Sequence, residues 1–240
     1  MRGLIIALQW LTRLPTPTLA QMEKRDMQAA TIWYPSVGLL IGALLALAGW
    51  LGASISDTLA GLLIVIGWVA ITGALHLDGA ADLADALGAA HHQPARMHAV
   101  FKDPHIGSFG IVVLILILLT KWVAATQLLH APNGYLALML APAWARLGAL
   151  DWAKQLQPLN PSGSGAQLAS AIDTTTIHGW RIALCLASWI AISFSYALAA
   201  LLILWLWRHM LQQRVGGMNG DTLGAGIEYS ESALLLVALL

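Results

Sequence analysis

Asp78, Asp82 and Asp85 recur at i, i+4 and i+7 within the segment HLDGAADLADALG. On an α-helix that spacing puts the carboxylates within about 60° of arc, on one face. Like charges so close repel, so a stable arrangement calls for a cation among them. Mg2+ suits the role: it takes oxygen ligands, keeps several waters, and binds through one or two carboxylates plus substrate phosphates. The plain alternative is a solvated helix face carrying ordinary acids. The triplet's position favours the metal, because it follows directly on an apolar run of membrane-spanning length, where ionisable groups are costly and mark functional sites.

A second polar box follows at Gly107-Ser108-Phe-Gly110. Two glycines around a serine at a helix entry can expose backbone N–H groups to a phosphate. Lys121 and Arg146 lie inside later apolar runs. Each either pairs with a carboxylate or reaches a substrate. The pair His91 and His92 reads better as a solvated loop than as a metal site.

The elements that must position these groups are membrane helices. Of 240 residues, 58% are hydrophobic and only 10% charged. Soluble domains carry about 25% charged residues. The chain therefore reads as one all-α, polytopic membrane domain over residues 1–240, with about six to seven spans. Its zero formal net charge leaves no basic footprint for nucleic acid. The single cysteine, Cys185, excludes a disulfide framework and a Cys-based zinc site. No small-residue cleavage site follows the first apolar stretch, so the N-terminus is expected to be retained.

In order, Leu4–Leu14 reads as a short interfacial helix stopped by Pro15 and Pro17. Spans are expected at about 34–52, 58–77, 109–129 and 135–151. The second would deliver His76 and Asp78 to its end. Gly38-x-x-x-Gly42 suits close helix packing. A helix is expected over 80–90, and another from Pro94. Residues 152–173 read as a mobile polar loop. From 174 to 214 a weak break at Ser193–Ser195 allows one span or two. Loops 1–36, 78–107 and 152–181 carry Lys and Arg, whereas 53–57 and 130–134 carry none. The basic loops therefore belong on the cytoplasmic side, and Arg208 and Arg214 join them only if 174–214 crosses twice, so two crossings are expected. Two crossings bring Asp221 and Glu228 to the side of Asp78.

The ordered motifs resemble the cobalamin synthase family, the adenosylcobinamide-GDP ribazoletransferases. HLDGAADLAD from His76 is similar to that family's HxDGxxDxxD signature. TRLP at 12–15, YPxxGLLIG from Tyr34, KDxxIGSFG from Lys102, and GGxxGDTLGA from Gly216 with Glu228 are similar to its other boxes, in order and at compatible spacing. Three positions depart from the pattern. Pro104-His105 stands where Ser-Arg is common, Asn219 replaces a usual Thr, and Ala86 replaces a Gly.

The resemblance implies transfer of cobinamide phosphate from adenosylcobinamide-GDP to α-ribazole or its 5′-phosphate, with release of GMP. It implies attack by a ribose 5′-hydroxyl, in a bacterial inner membrane with the site loops cytoplasmic. The expected roles follow. Mg2+ bridges the diphosphate to Asp78, Asp82 and Asp85. One remaining acid, Asp221 or Glu228, binds a second metal or takes the hydroxyl proton. Lys102 offsets phosphate charge, Gly107, Ser108 and Gly110 let the phosphate approach the backbone, and His76 orients an aspartate by a hydrogen bond. The partners are those small molecules and the lipid bilayer, with no nucleic acid, and a homo-oligomer is compatible with the sequence. Two rivals are a CDP-alcohol-type membrane phosphotransferase and an ion-coupled transporter. The first needs an Asp where Leu75 stands. The second often shows internal repeats, and none is visible.

Overall fold

The computed structural model describes residues 1–19, 24–90, 97, 100–101 and 105–240. Among these, eleven helices and one isolated bridge form an all-α domain. The short α1 (Arg2–Leu11) packs on α2 (Lys24–Thr31). The bundle proper begins with α3 (Tyr34–Ala53) and α4 (Asp57–Thr72). It continues through α5 (Leu75–Ala90), α6 (Ser108–Leu128) and α7 (Gly134–Gln155). The short α8 (Ser164–Ala171) precedes α9 (Thr174–Ala191), α10 (Phe194–Arg214) and α11 (Gly220–Val237).

By length and composition α3, α6 and α10 can each cross a membrane, and α4 with α5 would make a fourth span if they count as one. They are bent by 89°, however. The reason is local. α4 ends at Gly73 in the left-handed conformation (φ 63°), and Ala74 follows at φ 57°. The expected span to Leu77 therefore stops at Thr72, and His76 and Asp78 open a new helix running across the first. α7, α9 and α11 are as long as a span but less apolar, for they carry Arg146, Arg181, Glu228 and Glu231. Exposed Ile115, Leu116 and Leu119 on α6, and Leu198, Leu202 and Trp205 on α10, form the outward apolar face expected of helices in lipid.

Small residues set the central packing. A Cβ on Gly38 would lie 2.5 Å from the Pro142 carbonyl, and one on Gly42 would lie 2.4 Å from Met139 Cα. α3 and α7 thus meet backbone to backbone, as the Gly-x-x-x-Gly spacing predicts. Pro142 has no N–H to give the Leu138 carbonyl, and Gly42 packs against that same oxygen.

Residues 174–214 form two helices, not one. Ile192 leaves helical geometry (φ −126°, ψ −78°), and the Ser193 hydroxyl accepts the Tyr196 amide as the N-cap of α10. The segment 152–173 differs from the mobile loop expected. α7 runs on to Gln155, and α8 forms at Ser164. Between them the Leu159 amide donates to the Met218 carbonyl at 2.8 Å, and the Met218 amide to the Gln157 carbonyl at 2.9 Å. That bridge ties the segment to the start of α11.

Candidate active site

The site forms where α5 crosses α11. A Cβ on Gly79 would come within 2.6 Å of the Asp221 carbonyl, and one on Gly224 within 3.3 Å of His76 Cα. Only glycine at 79 lets the two backbones approach this closely. The crossing brings Asp78 beside Asp221, and both line one cavity of about 430 Å³. Asn219 positions the second acid. Its side-chain oxygen caps the Thr222 amide at 2.9 Å, and its amide nitrogen donates to Asp221 at 2.8 Å. Threonine, the more usual residue here by resemblance, would have to cap the helix and reach Asp221 through one hydroxyl, whereas Asn219 divides the two bonds between its oxygen and its nitrogen.

Asp82 sits one turn further along α5, half-buried. Among the described residues neither Asp78 nor Asp82 has a hydrogen-bonded or cationic partner. Partial burial pushes the Asp82 carboxyl up to about 6, helped by the negative charges of Asp78, Asp221 and Asp85. This repulsion is what a bound cation would relieve.

Asp85 takes a different part from the one expected. One of its carboxylate oxygens accepts the Gly107 amide at 2.7 Å and the other accepts the Gly110 amide at 2.9 Å. It therefore caps the N-terminus of α6, where a carboxylate is favoured by both the free N–H groups and the helix dipole. The amides of Gly107 and Gly110, expected to face a phosphate, already hold this carboxylate. Ser108 is exposed on the first turn of α6. Lys102 lies outside the described residues, as do His91, His92 and Pro94.

His76 is buried and lines the cavity, but it makes no hydrogen bond to an aspartate among the described residues. Its Nδ1 is buried without a partner. Glu228 lies two turns beyond Asp221 and is fully buried. There the Lys121 ammonium donates to Glu228 at 2.7 Å and also to Glu231, while Arg146 donates to Glu231. The Lys121 ammonium stands 4.1 Å from the centre of the Trp68 ring. Of the two readings open for Lys121 and Arg146, the structure shows carboxylate pairing. The acids of α11 are thus divided. Asp221 faces the cavity, whereas Glu228 and Glu231 neutralise the bundle interior.

Among the described residues no group of three or more His, Cys, Asp or Glu side chains is disposed to hold a metal ion. The expected triad does not converge, because Asp85 is turned to the backbone. The remaining carboxylates still fit Mg2+, which needs only one or two protein carboxylates when phosphate oxygens complete its shell.

A second cavity, of about 290 Å³, adjoins the first. Ser164, Gly165, Gly220 and Asp221 line both. The sequence places Ser164 and Gly165 in the mobile loop expected over 152–173, a segment that could cover a site or serve as a linker, although Ser-Gly-Ser-Gly before a run of helix formers is a helix-start signal.

Residues 3–239 match the family described as cobalamin-5-phosphate synthase. A protein of Novosphingobium aromaticivorans named adenosylcobinamide-GDP ribazoletransferase is 47% identical over 241 residues, covering 98% of this chain and 95% of the relative. Proteins of the same name from Thiobacillus denitrificans and Laribacter hongkongensis are also 47% identical, over 99% and 100% of this chain and 95% and 97% of theirs. No solved structure matches the chain.

Proposed function

The chain belongs to the cobalamin-5-phosphate synthase family, and we propose on that premise that it is a ribazoletransferase working at the α5–α11 crossing. It takes adenosylcobinamide-GDP and α-ribazole, or α-ribazole 5′-phosphate, and yields adenosylcobalamin, or its 5′-phosphate, with GMP. The reaction closes the nucleotide loop late in B12 biosynthesis. The observation that carries the site is the pairing of Asp78 with Asp221 on one cavity, at a backbone contact that Gly79 makes possible.

A ribose hydroxyl attacks the phosphorus on the cobinamide side of the diphosphate. The bond to the bridging oxygen breaks, and GMP leaves. The family's name corrects one expectation. A cobalamin 5-phosphate keeps that position esterified, so a 5′-hydroxyl does not attack a phosphorylated acceptor. The nucleophile is then another ribose hydroxyl.

Phosphoryl transfer of this kind rests on positioning and charge neutralisation. Mg2+ held by Asp78 and Asp221 would neutralise the diphosphate oxygens, leaving Asp82 unligated. The raised Asp82 carboxyl is the side chain best suited to take the hydroxyl proton, since a base with a pKa of about 6 is ionised at neutral pH yet still basic. Asn219 keeps Asp221 oriented, and the crowded α5–α11 contact holds the carboxylates at fixed separation. The basic loops support a site at the cytoplasmic face of a bacterial inner membrane.

The test is turnover by the full chain in nanodiscs, supplied with adenosylcobinamide-GDP and either ribazole form, with Mg2+ or with EDTA. Formation of GMP and the joined corrinoid only with Mg2+ is the expected result. Metal-independent turnover would remove the metal-holding role given to Asp78 and Asp221. Absence of turnover by folded protein would overturn the reaction itself.

A further inference from the structure

The two cavities that meet at Asp221 differ in chemistry. Apart from the shared residues, the larger one is walled mainly by Trp10, Leu11, Tyr34, Leu168, Leu223 and Ile227, with Gln9, His76 and Asp78 as its polar lining. Leu11, Tyr34, Leu168, Leu223 and Ile227 are buried within the fold. The smaller one is lined by Asn160, Asn219, Ala166, Phe101, Leu159 and Met218 beside the shared Ser164, Gly165, Gly220 and Asp221. Ser164 and Gly165 form the first turn of α8, following its N-cap Gly163. The bridge between Leu159 and Met218 holds that turn against the start of α11.

We propose that the larger arm seats the aromatic base of the nucleoside acceptor, and that the smaller arm takes the phosphate-bearing nucleotide end of the donor. The assignment rests on the transferase reading above and divides its substrates between the arms. Ribazole is a riboside of a methylated benzimidazole: flat, bicyclic, largely apolar, with a ring nitrogen able to hydrogen-bond. An aromatic and aliphatic wall with few polar groups is the surface that binds such a body. His76 also lines this arm. The smaller arm has side-chain amides, a hydroxyl and the N-terminal turn of a helix, which suit phosphate and ribose oxygens. The shared residues lie where the acceptor hydroxyl and the donor phosphorus must meet, next to Asp78 and Asp221.

The arms can be separated by two substitutions outside the carboxylate group. Trp10→Ala strips aromatic surface from the larger arm, and Ala166→Trp fills the smaller. In nanodiscs, Trp10→Ala should raise KM for α-ribazole 5′-phosphate about tenfold, leaving KM for adenosylcobinamide-GDP within about twofold. Ala166→Trp should do the reverse, and Trp10→Phe should restore acceptor KM. Leu168→Phe, which narrows the larger arm, should also act on acceptor KM alone. Equilibrium dialysis of α-ribazole 5′-phosphate against each folded variant, without donor, reads the larger arm independently of turnover. Donor KM rising in Trp10→Ala or Leu168→Phe while acceptor KM holds would overturn the assignment. So would equal changes in both KM values, or unchanged acceptor binding in both variants. Lack of turnover in the unsubstituted protein would instead overturn the transferase reading, leaving the dialysis to judge the arm.

Discussion

The carboxylate of Asp85 accepts the Gly110 amide at 2.9 Å, and a Cβ added at position 110 would stand only 2.4 Å from that carboxylate. The third aspartate of the signature and the last glycine of the GSFG box therefore depend on each other. Asp85→Ala is expected to cost about 3 kcal/mol, since it removes two hydrogen bonds to a charged acceptor and leaves amides at the start of α6 unpaired. Asp85→Asn, which keeps one acceptor oxygen, should cost less. Thermal unfolding in detergent compares the two, and equal loss from both would contradict the capping role. Gly110→Ala should resemble Asp85→Ala.

Asp82 gives a pH signature with a definite sign. Its carboxyl titrates at about 6 in the folded protein against an ordinary value of 3.8. Between those values the folded state holds more protons than the unfolded one, so stability falls as pH rises from about 4 to about 6. Above 6 the penalty is complete. Asp82→Asn should therefore raise Tm at pH 8 in the absence of metal and leave it unchanged below pH 4. The same substitution should cut turnover at least 100-fold. A variant with near-normal turnover at pH 8 would remove Asp82 from the chemistry.

The Gly79 contact predicts a loss of activity without loss of fold. Gly79→Ala places a methyl group 2.6 Å from the Asp221 carbonyl, so α5 and α11 must separate. Overpacking of this sort costs about 1–3 kcal/mol. Turnover should fall at least tenfold in protein that still elutes as a monodisperse peak, because the separation displaces Asp78 from Asp221. Unchanged kcat would show that their spacing does not matter.

The interior ion pairs predict non-additive behaviour. Lys121→Met leaves Glu228 without its cation and should destabilise by about 3–5 kcal/mol. Adding Glu228→Gln restores neutrality and should recover part of that loss, a coupling read from the two single variants and the double. Simple additivity in Tm would mean the pair is not coupled.

Much of the fold was legible because membrane helices announce themselves by apolar length, and the resemblance at His76–Asp85 and Gly216–Glu228 pointed to the crossing. What stayed hidden depended on tertiary contacts. The i, i+4, i+7 spacing places Asp85 correctly on the face of Asp78 and Asp82, but only the position of α6 shows that Gly107 and Gly110 occupy it. Glu228 reads like Asp221, an acid on the same helix. Lys121, more than a hundred residues earlier in the chain, is what separates them. The segment 157–163 looks like a linker by composition. Its order comes from hydrogen bonds to the Met218 backbone that no local pattern records.

The quartet of Lys121, Arg146, Glu228 and Glu231 has a further effect. Two formal positive charges face two negative ones inside the bundle. An unbalanced elementary charge moved across a membrane potential gains or loses about 2.3 kcal/mol per 100 mV. Here the charges cancel, so the electric field of an energised membrane does no net work on the quartet if its four groups shift together. The enzyme's rate should be the same in polarised and depolarised vesicles.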